Sequence, residues 1–320
     1  MQAGWQLRLR SARNNAAVVM PELISPLIAP LTQHQVTVFG DTADIGQASP
    51  NGHTRPDMLA AEVPVALVFN GISHAVMMAT PQDLEDFALG FALSEGIVSQ
   101  ASEVRGIDVV LADASQSGLP SGMAAIEVQV EVSARSFEQL KAHRRVLAGR
   151  TGCGVCGVES LAALDLTGEP VASNDWAGHI DAPRVLHAFS QLPSRQTLNA
   201  ESGALHAAGW AALNGELLEV FEDVGRHNAL DKLLGRMATK GLLDSRGFVI
   251  MSSRASHELV RKCARLNLSA LATISAPTAM GVRMAELSGI RLWGLCRAPR
   301  AVLYAGGGEF LAGDSTHADA

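Results

Sequence analysis

Residues 216–253 read ELLEVFEDVGRHNALDKLLGRMATKGLLDSRGFVIMSS, and they decide the fold. The opening segment ELLEVFEDV (216–224) has the composition of a strand. HNALDKLLGRMATKG (227–241) then sets Leu230, Leu233, Leu234 and Met237 at helical spacing on one face. FVIMSS (248–253) returns to strand character. The alternation continues with SHELVRKCARLN (256–267) as helix, LATIS (271–275) as strand, TAMGVRMAELSG (278–289) as helix and IRLWGLC (290–296) as a last strand. Such an order predicts an α/β layer with largely parallel strands.

Upstream the pattern changes. VPVALVFNGISHAVMMAT (63–80) reads as two strands joined at Asn70-Gly71, a strong hairpin dipeptide. Thr80-Pro81 is expected to open a helix over TPQDLEDFALGFALSEG (80–96), with Thr80 as N-cap, Pro at the first position and Gly96 as the stop. GIDVVLA (106–112) and AIEVQVEVS (125–133) look like strands, and SFEQLKAHRRVLAG (136–149) like a helix. The expected division is a polar, aperiodic extension at 1–55, poorly ordered, and a smaller N-terminal α+β part at 56–150. A mobile cysteine loop at 151–160, an α/β part at 161–310 and a flexible tail at 311–320 complete it.

In an open α/β sheet the loops after the strands gather at one edge, where ligands bind. Here those loops are EDVGRH (222–227), SSRAS (252–256), SAPT (275–278) and CRAPR (296–300). They bring Arg226, His227, Arg254, Arg297 and Arg300 together with the hydroxyls of Ser252, Ser253, Ser256, Ser275 and Thr278. Guanidinium groups, hydroxyls and helix N-termini together suit phosphate, so a nucleotide-shaped ligand is expected. His227 and Asp231 lie one helical turn apart beside Asp223 and Lys232, a pattern read as capping and ion pairing on a helix surface.

Bulk composition narrows the classes. The 320 residues carry a net charge of −7, 48% hydrophobic and 18% charged side chains, and a single Tyr. That is a globular chain with neither the basic face of a general nucleic-acid binder nor aromatic platforms for single strands. Arg8, Arg10 and Arg13 precede an apolar stretch, but Pro21, Glu22, Pro26 and Pro30 interrupt it, so neither a secretory signal nor a membrane span is expected. Four cysteines make no disulfide framework, which points to a reducing, cytoplasmic setting.

Two of those cysteines sit in TGCGVCG (151–157), between Gly152, Gly154 and Gly157. Zinc would need two more ligands, and Cys263 and Cys296 are solitary within apolar patterns. A thioredoxin-like dithiol would open a helix after a strand, whereas this pair follows a helix. A third role is group transfer, in which a thiolate accepts a group from one partner and presents it to another. Arg144, Arg145 and Arg150 could favour the thiolate, although a solvated helix face explains them equally well.

Taken together, TPQDLEDFALGFALSEGI, TGCGVCGVESL, EDVGRHNALDKLLG, SSRASHELVRK, SAPT and GIRLWGLCRAPRAVLY resemble the FdhD family of sulfur carriers required for formate dehydrogenase activity. The resemblance spans residues 60 to 305. It implies a three-layer α/β/α fold with a mixed sheet, similar to cytidine deaminases, behind the smaller N-terminal α+β part. It implies a sulfurtransferase-like activity in which a cysteine desulfurase donates persulfide sulfur. The acceptor is the molybdenum of bis(molybdopterin guanine dinucleotide), and the formate dehydrogenase catalytic subunit is the recipient. Cys153 matches the persulfide-forming cysteine and Cys156 its partner. Leu295, Cys296, Arg297, Ala298, Pro299 and Arg300 match the cofactor-binding stretch, joined by Ser202, His206, Arg226, His227, Ser253, Arg254 and Ser275; no resident metal is implied. Relatives also suggest a homodimer.

The chain departs from the family at Ser202, Ala204 and Leu205, within what is often Thr-Gly-Gly-x-His-Ala-Ala, and at Leu295, where Phe is usual. The zinc signature of deaminases is missing, so deamination is not expected. The alternatives are a cofactor-binding chaperone in which the thiols only assist and a zinc-containing structural protein.

Overall fold

A computed structural model describes residues 28–39, 52–112, 123–147, 167–172 and 174–306. The C-terminal half is built on a six-stranded sheet of order β12-β11-β10-β9-β7-β8. Its strands are β7 (His206–Ala212), β8 (Leu217–Asp223), β9 (Gly247–Met251), β10 (Ala270–Thr273), β11 (Arg291–Arg297) and β12 (Arg300–Ala305). The helices α5 (Arg226–Thr239), α6 (His257–Arg265) and α7 (Ala279–Ser288) connect successive strands from β8 to β11, as the alternation requires.

Only β9, β10 and β11 run parallel; β7, β8 and β12 are antiparallel to their neighbours. The largely parallel sheet read from the alternation is corrected to the mixed sheet that the family resemblance implied. Short connections join β7 to β8 and β11 to β12, and a connection of a few residues can pair strands only in antiparallel fashion. The β7–β8 turn holds Asn214-Gly215, with Gly215 at φ +86° and a Cβ there only 2.4 Å from the Arg184 carbonyl oxygen. That dipeptide is the same signal as Asn70-Gly71, and the small-residue run at 202–210 masked the strand before it.

Side chains of β9 alternate between two cores. Phe248 and Ile250 pack with Val185, Ala188, Phe189 and Leu192 of α3 (Ala182–Arg195). Val249 and Met251 pack on the opposite face with Leu230, Leu233, Leu259 and Met284 from α5, α6 and α7. Helices therefore cover both faces of the sheet. A short helix, α4 (Thr197–Ser202), follows α3.

The N-terminal half carries a four-stranded sheet of order β4-β3-β6-β5. Its strands are β3 (Val63–Phe69), β4 (Ile72–Ala79), β5 (Val104–Leu111) and β6 (Ile126–Val132), with α1 (Leu84–Ser94) between β4 and β5 and α2 (Ala134–Leu147) after β6. The hairpin falls at Asn70-Gly71, where both residues have positive φ (46° and 81°), as a primed turn requires. The Asn70 side chain also pairs with the Val132 backbone, donating to its oxygen (3.1 Å) and accepting from its N–H (2.7 Å).

Two local expectations fail. Helix α1 opens at Leu84 behind a left-handed Asp83, not at Thr80-Pro81. Thr80 is unavailable as a cap because its polar atoms face the other half of the molecule. Within the stretch read as extension and linker, β1 (Leu31–Val38) pairs with β2 (His53–Ala60) as an antiparallel ribbon. Most of its side chains are exposed, so no buried face imposed an alternating pattern on the sequence.

The halves dock through α1 and α5. A Cβ on Gly90 of α1 would come within 1.8 Å of the Asp231 carbonyl oxygen, and one on Gly235 of α5 within 1.9 Å of that of Asp86. The two glycines let the helix backbones touch. Around them the polar groups are paired. Asp223 accepts from the Thr80 N–H (3.0 Å) and Asn228 Nδ2 (2.9 Å), and lies 2.7 Å from Lys232 Nζ. Asp231 accepts from Ser94 Oγ (2.7 Å) and Lys262 Nζ (3.0 Å), and Lys262 also reaches Glu95 (2.7 Å). The acids and lysines of this motif are thus buried at a seam, where the spacing alone suggested a helix surface.

Candidate functional site: the basic edge of the six-stranded sheet

The antiparallel placement of β7 and β8 brings the start of β7 and the end of β8 to the same edge as the ends of β9, β10 and β11. His206 lies opposite Asp223 in register, and the Ser252 N–H donates to the Ala207 oxygen (2.9 Å). The loops are then stitched to one another through backbone. The Ser275 N–H donates to the Ser253 oxygen (3.4 Å), the Leu295 N–H to the Ser275 oxygen (3.2 Å), and the Thr278 N–H to the Ala255 oxygen (3.0 Å). Sites expected from far-apart segments share one rim.

Arg226 and His227 occupy the first turn of α5 and are half-buried. Ser253 is buried, its hydroxyl donating to the Arg254 oxygen (3.2 Å), while Arg254 itself is exposed. Leu295 takes a left-handed backbone at φ 53°. Beyond it Arg297, Ala298, Pro299 and Arg300 are exposed at the β11–β12 turn, with a cis Ala298–Pro299 bond and Arg297 opposite Arg300. This corner presents two guanidinium groups to solvent.

Two of the expected residues are turned to other work. Cys296 packs in the core under α3, and burial pushes its thiol up to about 12. Its side chain cannot contribute to a surface ligand site, although its neighbours can. The Ser202 hydroxyl closes α4 by donating to the Leu198 oxygen (3.0 Å). Cys263 is also fully buried, and its thiol is likewise pushed up to about 12 by burial, against the opposing effect of Lys262. Cys153, Cys156 and the arginines at 144, 145 and 150 lie outside the residues whose side chains the structure describes.

The structure adds residues that spacing did not single out. Glu258, in the first turn of α6, receives His227 Nε2 at 2.8 Å and Ser256 Oγ at 3.1 Å, with Arg226 at 4.0 Å. Burial favours its neutral form, but the hydrogen bond and charge of His227, with His257 and Ser256, outweigh this and hold it below the usual glutamate range. His206 is pushed below the usual imidazole range by burial first, then by Arg226 and His227, with Asp223 opposing. Glu222 caps α4 by accepting from the N–H groups of Leu198 (3.0 Å) and Asn199 (2.8 Å).

Helices α5 and α6 begin without a side-chain cap, whereas α7 is capped by Thr278. Among the described residues, no N-cap side chain takes up the first-turn N–H groups of α5 and α6. A cavity of about 310 Å³ lies elsewhere, at the opposite end of the sheet near Asn174, Ser269 and Arg291, and none of the expected site residues line it.

Residues 60–310, spanning both halves, their seam and the basic rim, match the FdhD/NarQ family. The chain belongs to that family. FdhD/NarQ relatives include the sulfur carrier protein FdhD of Chromobacterium violaceum, 49% identical over 86% of this chain and 98% of that protein. The protein of the same name from Cupriavidus necator is 52% identical over 78% of this chain and 82% of its own length. That of Acinetobacter baylyi is 47% identical over 79% and 89%. A crystal structure described as a formate dehydrogenase accessory protein from Desulfotalea psychrophila shares the fold, with a TM-score of 0.60 at 22% identity over 86% of this chain and 97% of that one. The FdhD/NarQ match begins at the last residue of β2, so the β1 strand lies outside it.

Proposed function

We propose that this chain is a sulfur carrier. Cys153 accepts sulfur from a cysteine desulfurase and delivers it to the molybdenum of bis(molybdopterin guanine dinucleotide), for use by formate dehydrogenase. In the first step the Cys153 thiolate attacks the outer sulfur of the donor's persulfide. A new S–S bond forms at Cys153, the donor's S–S bond breaks, and the donor cysteine leaves as a thiolate. The sulfane sulfur changes hands without net oxidation. The acceptor is the second substrate, and its guanine nucleotide and pyrophosphate groups would lie along the basic rim.

One observation carries this reading. Arg226, Arg254, Arg297 and Arg300 stand on three loops of one sheet edge, beside two uncapped helix N-termini. Charged forks and helix N-termini in that arrangement suit pyrophosphate. Chain length is compatible with carriage. Residues 167–172, downstream of the cysteines, are tied to the far ends of α6 and α7. Glu169 pairs with Arg265 (2.9 Å), the Ala172 N–H donates to Asn267 Oδ1 (2.7 Å), and the Val171 N–H donates to the Ser288 oxygen (2.9 Å). Ten residues lie between Cys156 and Thr167, and the eleven steps along the chain have an extended reach of about 36 Å. Helix α6 is 9 residues long, about 14 Å.

We further take the helix–sheet–helix layering to be that of the cytidine deaminases, the active unit to be a homodimer, and the compartment to be the cytoplasm. No described helix is long and apolar enough to cross a membrane. The decisive experiment is peptide mass spectrometry after incubation with a cysteine desulfurase and cysteine. Added sulfur on the Cys153 peptide is expected, reversed by reductant and absent in Cys153→Ala. No added sulfur, with a desulfurase verified on another acceptor, would promote the chaperone reading. A chaperone would also keep supporting formate dehydrogenase after Cys153→Ala and Cys156→Ala together.

A further inference from the structure

The cavity of about 310 Å³ lies where β10 and β11 begin and α7 ends, away from the rim. Its size is at the small end of ligand sites, the scale of a metabolite rather than a dinucleotide. Arg291, the first residue of β11, supplies a cation to it. Nε donates to the Ile180 oxygen (3.1 Å) and Nη1 to the Gly306 oxygen (2.5 Å), and the guanidinium lies over the Trp293 ring. These contacts fix the fork in place. Among the described residues no carboxylate pairs with it and Nη2 has no hydrogen-bond partner; Asp181 is held by Arg184. Burial draws Arg291 below the usual arginine range, with Asp181 opposing only from a distance. An anion in the cavity would offset that burial.

The other polar groups do not all suit an anion. Ser269 is 4% exposed, and its Oγ accepts from Asn174 Nδ2 (2.6 Å), which leaves the hydroxyl proton to donate. Asn174 Nδ2 also donates to the Ala172 oxygen (3.0 Å), so what Asn174 has left to offer is Oδ1, an acceptor. Gly289 ends α7 in left-handed backbone, and no basic residue stands in the last turn of that helix. The negative end of the α7 dipole is therefore uncompensated by its own side chains, and it favours a cation. Two donors that suit a carboxylate share one cavity with an acceptor and a helix C-terminus that suit an ammonium group. A plain anion would leave the second pair unused, and a plain cation would meet Arg291. A zwitterion satisfies both.

We propose that this cavity binds a free α-amino acid, its carboxylate on Arg291 and Ser269 and its ammonium group on Asn174 Oδ1 beside the end of α7. The apolar groups of Val171 and Ala177 receive its side chain. No bond is made or broken. Val171 and Ala172 belong to the segment 167–172 that follows the paired cysteines and is tied to the rest of the fold through Glu169 and Arg265. An occupant therefore bears on the anchor of the cysteine-bearing stretch. The site stands whether or not the rim takes a dinucleotide.

The test is ligand-observed saturation-transfer NMR on the full-length protein with L-alanine and L-leucine. Propionate and propylamine, which each lack one of the two charges, are titrated beside them. The expected result is saturable binding of at least one amino acid, with both single-charge compounds weaker by about tenfold or more. Arg291→Gln should weaken the amino acid by about tenfold or more, since a charge-assisted hydrogen bond is lost. Arg291 also holds the Ile180 and Gly306 carbonyls, so Gly178→Leu carries the test if that variant fails to fold. Gly178 lines the cavity, and a Cβ built on it meets nothing within 4 Å, so a leucine there takes up space without a clash and should abolish binding. Propionate binding as tightly as the amino acids overturns the proposal in favour of a plain anion site. Failure of both amino acids to bind overturns it outright, as does binding that survives Gly178→Leu unchanged.

Discussion

The eleven residues from Glu222 to Lys232 serve two regions with opposite physics. Asp223, Asn228, Asp231 and Lys232 turn into the seam between α1 and α5, where they are buried to 2% exposure or less and paired. Arg226 and His227 turn to the rim, half-buried, with Glu258 at 2.8 Å from the imidazole. At the seam every charge has a fixed partner, because an unpaired buried charge would cost several kcal/mol. At the rim positive charge is left in surplus and solvated, which costs little until a ligand uses it. One segment therefore locks the two halves together and aims the binding loop, so the strength of the seam sets the geometry of the rim.

The largest effects should come from breaking the seam. Lys232→Ala leaves Asp223 without its cation in a fully buried setting and is expected to destabilise the fold by about 3–5 kcal/mol in denaturant titrations. Gly90→Val forces a side chain against the Asp231 backbone and should cost about 3 kcal/mol, with a clear drop in melting temperature. A seam that tolerates both would mean the halves are held elsewhere.

The pH dependence sharpens the same contrast. Lys262 draws Glu95 below the usual glutamate range, against partial desolvation of a carboxylate whose side chain is 45% exposed. A depressed carboxylate contributes stability that is present above its unfolded value, near 4.3, and is lost as pH falls through the folded one. For Lys262 burial favours the neutral amine, but Asp231 and Glu95 together outweigh it and raise the lysine above its usual range. That contribution is present below about pH 10.4 and lost as pH rises past the folded value. Lys262→Met should remove both contributions and leave the buried Asp231, whose carboxyl burial already pushes up, without its cation, so stability should fall as pH rises above the carboxylate range, as melting curves from pH 3 to 11 would reveal.

The rim should behave in the opposite way. Arg254→Ala and Arg297→Ala are expected to change stability by less than about 0.5 kcal/mol, since both side chains are exposed. Yet each should weaken guanosine diphosphate binding, by about 1.5–3 kcal/mol where a charge-assisted hydrogen bond is lost. Equal losses of stability and binding would erase the distinction between the regions. The smallest effect is chemical. Native alkylation followed by peptide mass spectrometry should leave Cys263 and Cys296 unmodified until the chain unfolds, since burial raises both thiols to about 12.

Much of this was legible in local pattern. Helical spacing of Leu230, Leu233, Leu234 and Met237 located α5, and the Asn70-Gly71 dipeptide located the β3–β4 turn, because both signals act over a few residues. Strand direction was less legible. A buried strand such as β9 looks the same parallel or antiparallel, and the small residues of β7 obscured a strand that redirects the whole sheet edge. The arginines of the rim were found from their positions after strands. Glu258 was not, since HELVRK reads as an ordinary helix start until His227 arrives from 31 residues away.

By itself the sequence determined the element types from β3 to α2 and from β8 to β11, the solitary character of Cys263 and Cys296, and the family, since each follows from neighbours along the chain. Tertiary structure decided which of the charges between Glu222 and Lys232 are buried and which are free. A side chain's polarity is written in the chain, but its partner is not: Thr80 meets Asp223, and Ser94 meets Asp231, across 143 and 137 residues. Desolvation then fixes what each group does, holding the acids at the seam in place and leaving the arginines of the rim for a ligand.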